Sequence, residues 1–186
     1  MAFTIEEATI DGIHAAMRSG EITSEALVRA YLERIEAIDR GGPQLNSVLA
    51  LNERAAERAA ELDAELQRTG ELSGPLHGIP VLVKDCVETA GIATTFGSEA
   101  LKGYVPAEDA VTVRRLREAG AVILGKTTLP DFATSWFSYS SVSGETKNPY
   151  DLNRDPGGSS SGTGAAVAAN LATVGIGTDC GGSIRL

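Results

Sequence analysis

Ile79-Pro80-Val81-Leu82-Val83-Lys84 is apolar up to its final lysine, follows Gly78, and comes soon after the turn-like Ser73-Gly74-Pro75. A short apolar run bounded by Gly and Pro reads as a buried strand. Downstream the pattern alternates. Asp109 is placed to cap a helix over 110–119, Gly120 stops that helix, and Ala121-Val122-Ile123-Leu124 reads as a second buried strand. The small residues from Gly162 to Ala172 predict a tightly packed helix, followed by a strand over 173–178. Strand, helix and strand in alternation predict an α/β sheet.

Upstream of Ser73 the chain reads as helices. Thr4-x-x-Glu7 fits a capping box opening a helix over 5–18. Ser24 is placed to cap a second helix, with Leu27, Val28, Tyr31, Leu32, Ile35 and Ile38 on one apolar face. A third, Glu53 to Arg68, ends before Gly70. This divides the chain into a helical segment of about 1–72 and an α/β core of about 73–186. Whether the helices stand apart or pack on the sheet is open at this level.

Composition excludes several classes of function. With 186 residues, 42% hydrophobic and 22% charged, the chain has the make-up of a soluble globular domain. A net charge of −9 disfavours a nucleic-acid or anionic-membrane partner. Arg114, Arg115 and Arg117 form the densest basic cluster and read as a solvated helix face. The N-terminal MAFTIEEATI lacks the basic-then-apolar order of a signal peptide. Pro156 to Thr178 is uncharged, but its six glycines mark a buried soluble segment and not a membrane span. Cys86 and Cys180 suit a reducing cytoplasm and have no metal-ligand spacing. With only His14 and His77 as histidines, no metal site is expected. No cofactor is expected either.

Three motifs match patterns whose chemistry they cannot support. Gly120 to Thr127 satisfies G-x-x-x-x-G-K-[ST], but its middle is an apolar strand-like run and Leu129-Pro130 follows where a phosphate loop needs a helix. Gly158-Ser-Ser160-Ser-Gly162 satisfies G-x-S-x-G, but no histidine follows His77 to complete that triad. Cys180 has no histidine nearby, and Asp179 beside it disfavours a thiolate; it reads as a small residue in a tight turn.

A serine hydrolase without histidine needs another base, and a lysine kept neutral by burial can serve. Lys84 closes an apolar strand; Lys126, one glycine past its strand, is the near rival among four lysines. Gly157-Gly-Ser159-Ser-Ser-Gly162 offers hydroxyls on a loop that opens a helix. Gly181-Gly182-Ser183 follows a strand, and glycines ahead of a serine let a substrate carbonyl approach backbone N–H groups.

Gly78-x-Pro80-x-x-Val83-Lys84-Asp85, Pro156-Gly-Gly-Ser-Ser-Ser-Gly162 and Gly177-Thr-Asp-Cys-Gly-Gly-Ser-Ile-Arg185 together resemble the amidase signature family in order and spacing. The likeness runs from about Ser24 to the last residue. It implies the amidase signature fold, a mixed β-sheet core flanked by helices, here incomplete. It implies hydrolysis of a carboxylic amide, with Ser183 as nucleophile, Ser159 at a cis peptide as relay and Lys84 as base. The backbone N–H groups of Cys180, Gly181, Gly182 and Ser183 would form the oxyanion hole. Asp179 and Arg185 would serve in structural hydrogen bonds. The implied partner is a small-molecule amide, and the resemblance allows a homodimer of the full-length enzyme.

Two departures qualify the likeness. Glutaminase subunits of the transamidosome typically carry Met-Gly-Ser-Ser-x-x-Asn where this chain has Thr134-Ser-Trp-Phe-Ser-Tyr-Ser140. Trp136, Phe137 and Tyr139 instead suggest an apolar acyl pocket, which favours a general amidase over the glutaminase. Family members also continue far past Ser-Ile-Arg. The expectation is therefore the N-terminal part of a single amidase domain, inactive by itself.

Overall fold

The computed structural model describes residues 3–186. Helices α1 (Ile10–Ser19) and α2 (Ser24–Arg34) come first, and α2 continues as a wider π turn over Ile35–Arg40. Strand β1 (Val48–Leu51) precedes helix α3 (Ala55–Thr69). Then follow β2 (Pro80–Lys84), α4 (Val111–Glu118), β3 (Val122–Thr127), α5 (Ser161–Ala168) and β4 (Val174–Ile176).

The sheet has the order β1-β3-β2-β4. β2 runs parallel to both β3 and β4, whereas β1 is antiparallel to β3. This is the mixed sheet flanked by helices that the sequence led us to expect. The sequence reading did not find β1: Val-Leu-Ala-Leu is too short for its periodicity to separate strand from helix.

Helices cover both faces. One core joins Ile13, Leu27, Tyr31 and Leu62 of the N-terminal helices to Leu82, Val122 and Leu124 of the sheet and Ala166 of α5. On the other face Val113 of α4 packs with Val81, Val83 and Ile123. The N-terminal helices thus pack on the sheet and share its core. Alternation along β2, with Leu82 facing one cluster and Val81 and Val83 the other, is the period-2 pattern of a strand buried on both sides. Each such side chain contributes roughly 1.5–3 kcal/mol on burial.

The helix starts differ from the sequence expectation, each for a local reason. α1 begins at Ile10, with the Thr9 side chain accepting from Gly12 N at 3.1 Å. Glu7 has φ 55° and its N–H donates to Asn170 Oδ1 (2.8 Å), so the Thr4-x-x-Glu7 box is tied to the far end of the chain and opens no helix. Thr23, not Ser24, caps α2 by accepting from Ala26 N at 3.1 Å. Ser24 N and Glu25 N instead donate to the Asp63 carboxylate of α3, at 2.7 and 2.9 Å. Asp109 does not cap α4; its carboxylate accepts from Ala90 N and from Arg117 Nε, both at 2.8 Å.

Candidate active site

Lys84 stands at the C-terminal end of β2 and is fully buried. Val83 pairs with Ile176, so the end of β2 lies beside the segment that leaves β4, Gly177-Thr178. Lys84 Nζ lies 2.7 Å from Ser159 Oγ, 2.9 Å from Thr178 Oγ1 and 3.1 Å from Ser160 Oγ. Burial holds its amine below the usual lysine range, opposed by the charges of Cys86, Cys180 and Asp179.

Ser159 is fully buried on the loop that enters α5, and the Gly158–Ser159 peptide bond is cis, as the resemblance implied. That loop is held against the sheet where only glycine fits. A Cβ on Gly162 would lie 2.4 Å from both Ser47 O and Thr128 N. Thr163 on α5 meets Thr127 on β3 through a 2.6 Å hydroxyl contact.

Ser183 is half-buried, and its carbonyl accepts from Ser160 N at 3.0 Å, which sets the 177–186 loop beside the Ser159 loop. Its hydroxyl makes no hydrogen bond to Ser159 among the described residues. The fold thus brings Lys84 and Ser159 into direct contact and Ser183 alongside through its backbone. Gly182 has φ 117°, a left-handed conformation that suits glycine.

Asp179 organises this loop. Its carboxylate accepts from Gly182 N (2.8 Å) and Ile184 N (3.2 Å), and from Arg185 Nε and Nη2 at 2.9 and 3.1 Å. The Arg185 hydrogen bonds, followed by the one from Gly182, hold Asp179 far below the ordinary carboxylate range. Gly182 N–H is therefore already engaged. The N–H groups of Cys180, Gly181 and Ser183 have no acceptor among the described residues.

The rival lysine is occupied elsewhere. Lys126, also fully buried, donates to Val87 O (2.7 Å) and Thr94 Oγ1 (2.8 Å) and lies 3.4 Å from Asp85 Oδ1. That last separation is an ion pair without hydrogen-bond geometry; the other Asp85 oxygen accepts from Thr95 N and Oγ1 at 2.9 and 2.6 Å. Burial pushes Lys126 down and Asp85 up, and each one's charge opposes the shift of the other. The phosphate-loop pattern dissolves as well, since Gly125-Lys126-Thr127 is strand backbone in β3. Cys180 is exposed and does not fill a packed turn.

Thr178 was not singled out in the sequence, and Ser160 only as the serine of the rejected G-x-S-x-G pattern; neither was expected on Lys84. Their convergence depends on the β2–β4 register and on the path of the loop into α5. Trp136 donates its indole N–H to Gly181 O at 3.3 Å, and Trp136, Phe137 and Tyr139 are all exposed. An open groove of about 450 Å³ runs past Gly158, Ser160, Gly177, Ser183, Ile184 and Leu186. No helix among the described residues is long and apolar enough to cross a membrane.

Comparison with known proteins identifies the family. The amidase family model matches residues 26–186. A glutamyl-tRNA(Gln) amidotransferase subunit from Halorhodospira halophila is 45% identical over 181 residues, covering 97% of this chain and 37% of the relative. The native peptide amidase from Stenotrophomonas maltophilia is 50% identical with a TM-score of 0.90, over 96% of this chain and 37% of that one. A peptide amidase solved with the competitive inhibitor chymostatin gives 49% and 0.93, over 98% and 38%. The chain thus spans little more than a third of the length of these relatives. With the family model matched over most of its residues, and with a fold superposing on peptide amidase, this chain belongs to the amidase family.

Proposed function

We propose that the protein hydrolyses a carboxylic amide to the acid and ammonia or an amine, through an acyl-enzyme on Ser183. The observation that carries this reading is the buried Lys84 amine, 2.7 Å from Ser159 Oγ with no carboxylate at ion-pair distance among the described residues. A lysine held below its usual range is a base that hydroxyls can reach.

Ser183 Oγ attacks the amide carbonyl carbon while its proton passes through Ser159 to Lys84. Negative charge develops on the carbonyl oxygen, for which the N–H groups of Cys180, Gly181 and Ser183 are the available donors. Gly182 would join them only if its bond to Asp179 opened. As the tetrahedral adduct collapses, the C–N bond breaks and the proton returns from Lys84 to the departing nitrogen. Water then attacks the acyl ester by the same route, releasing the acid and restoring Ser183.

The Trp136 indole on Gly181 O, with the exposed Phe137 and Tyr139 near it in sequence, favours an amide with an apolar acyl group. A second reading, the glutaminase component of a tRNA-dependent amidotransferase, is favoured by curated amidotransferase relatives at 42–46% identity. Residues 1–186 alone are expected to turn over little, because β4 is three residues long with one edge unpaired.

The test is an activity panel on the complete gene product, comparing peptide, aryl and alkyl amides with glutamine. Hydrolysis abolished by Ser183→Ala is expected, with apolar amides preferred. Preferential glutamine turnover would replace the first reading with the second, and turnover that survives Ser183→Ala would overturn both.

A further inference from the structure

Ser160 and Thr178 lie outside the proposed triad, yet both touch its lysine. The oxygens of Ser159, Ser160 and Thr178, at 2.7, 3.1 and 2.9 Å, surround Lys84 Nζ. Besides its bond to Cε, a tetrahedral nitrogen has three further directions, as many as there are oxygens within reach. An ammonium meets the three oxygens with three hydrogens; a neutral amine has two hydrogens and one lone pair. Only the amine can accept a proton, so the direction its lone pair takes decides whether Ser159 can hand one over.

The hydrogen-bond partners of the three hydroxyls favour one direction. Ser160 Oγ has a single hydrogen, which it donates to Thr178 O at 3.2 Å, while accepting from Thr178 N at 3.3 Å. It has none left for the lysine, so the lysine must donate to it. Thr178 Oγ1 has Cys86 Sγ at 3.7 Å, a contact in which either atom can donate; with the threonine hydrogen on the sulfur, an oxygen lone pair is left for a second lysine N–H. Ser159 Oγ has no partner but Lys84 among the described residues.

We propose that Ser160 and Thr178 are positioning residues that take the two N–H bonds of neutral Lys84 and so aim its lone pair at Ser159. The proposal rests on the reading of Lys84 as the base. It gives the paired hydrogen bonds between Ser160 and the Thr178 backbone a purpose, since they lock the two acceptors to each other. If either oxygen is lost, the amine rotates about its Cε–Nζ bond and its lone pair points at Ser159 only part of the time.

The test compares Thr178→Val, which keeps the shape and removes the oxygen, with Thr178→Ser, which keeps the oxygen. It uses the complete gene product labelled with ¹⁵N-lysine. One readout is the NMR titration midpoint of Lys84 Nζ; the titratable groups around it are Cys86, Cys180 and Asp179. The other is the rate at which a fluorophosphonate labels Ser183. Thr178→Val is expected to lower the midpoint, because the ammonium loses an acceptor, and to slow labelling about tenfold. Thr178→Ser restores both. A lower midpoint alone would enlarge the amine fraction and speed labelling, so slowing reports lost aim and not lost basicity. An unmoved midpoint, or labelling as fast as in the unaltered protein, would overturn the proposal. If the unaltered protein neither labels nor hydrolyses amides while the midpoint shifts in Thr178→Val and returns in Thr178→Ser, the amidase reading fails and the hydrogen-bond assignment at Lys84 is supported.

Discussion

Lys84 on β2 and Lys126 on β3 are both fully buried, one register step apart on neighbouring parallel strands. Lys126 pairs across from Val83, and Lys84 across from Thr127. Side chains alternate between faces along a strand, so the two lysines leave the sheet in opposite directions. Lys126 enters the loop after β2 and meets the Asp85 carboxylate at 3.4 Å. Lys84 enters the space before α5 and meets three hydroxyls. Burial lowers both amines, but only Lys126 has a contacting countercharge to hold its proton. The same residue type at the same depth is a strut on one face and a candidate base on the other.

The widest separation between them is expected in the chemistry. Lys84→Met removes the proposed base and should cut amide hydrolysis by the complete protein about 10³-fold. Steady-state rates decide it, and a variant that keeps a tenth of the activity would remove Lys84 from the mechanism.

Stability should rank the two in reverse. Lys126→Met strands Asp85 as a buried unpaired charge and should cost about 3 kcal/mol in denaturant unfolding. Lys84→Met removes a buried amine that lacks a counter-ion, so its unfolding midpoint should stay level or rise. Equal losses in the two variants would erase the distinction between strut and base.

The smallest effect is a dependence on pH. The folded-state pKa of Lys84 is depressed relative to an unfolded value of about 10.4. As pH falls through that value the unfolded chain takes up its proton first, so stability drops, and it levels off once the folded lysine is also protonated. Unfolding measured from pH 7 to 10 should therefore show stability rising with pH, and rising less in Lys84→Met. Matching slopes in the two proteins would mean that Lys84 keeps an ordinary pKa in the fold.

Much of the fold was legible because its signals are local. The apolar runs at 79–83 and 121–124 became most of β2 and the first half of β3, and the Ala- and Glu-rich segment before Gly70 became α3. Helix starts were legible to within a few residues and their caps less well. Ser24 and Asp109 had the right side chains for capping, but distant partners, Asp63 on α3 and Ala90 with Arg117, settled where the hydrogen bonds went. β1 stayed hidden because four apolar residues acquire a strand identity only from the neighbour they pair with.

The sequence by itself determined the chemical inventory: a lysine at the end of an apolar strand, a glycine-flanked serine run and a Gly-Gly-Ser turn, in an order that resembles one family. Its apolar runs left Lys126 a near rival to Lys84, and the resemblance pointed to Lys84. Only the tertiary structure put the two on opposite faces with different partners, because the face a strand residue occupies depends on register, and register is fixed by pairing and packing. The same pairing set Thr178 beside Lys84 across 94 positions of sequence. No periodicity within a single segment encodes a contact of that kind.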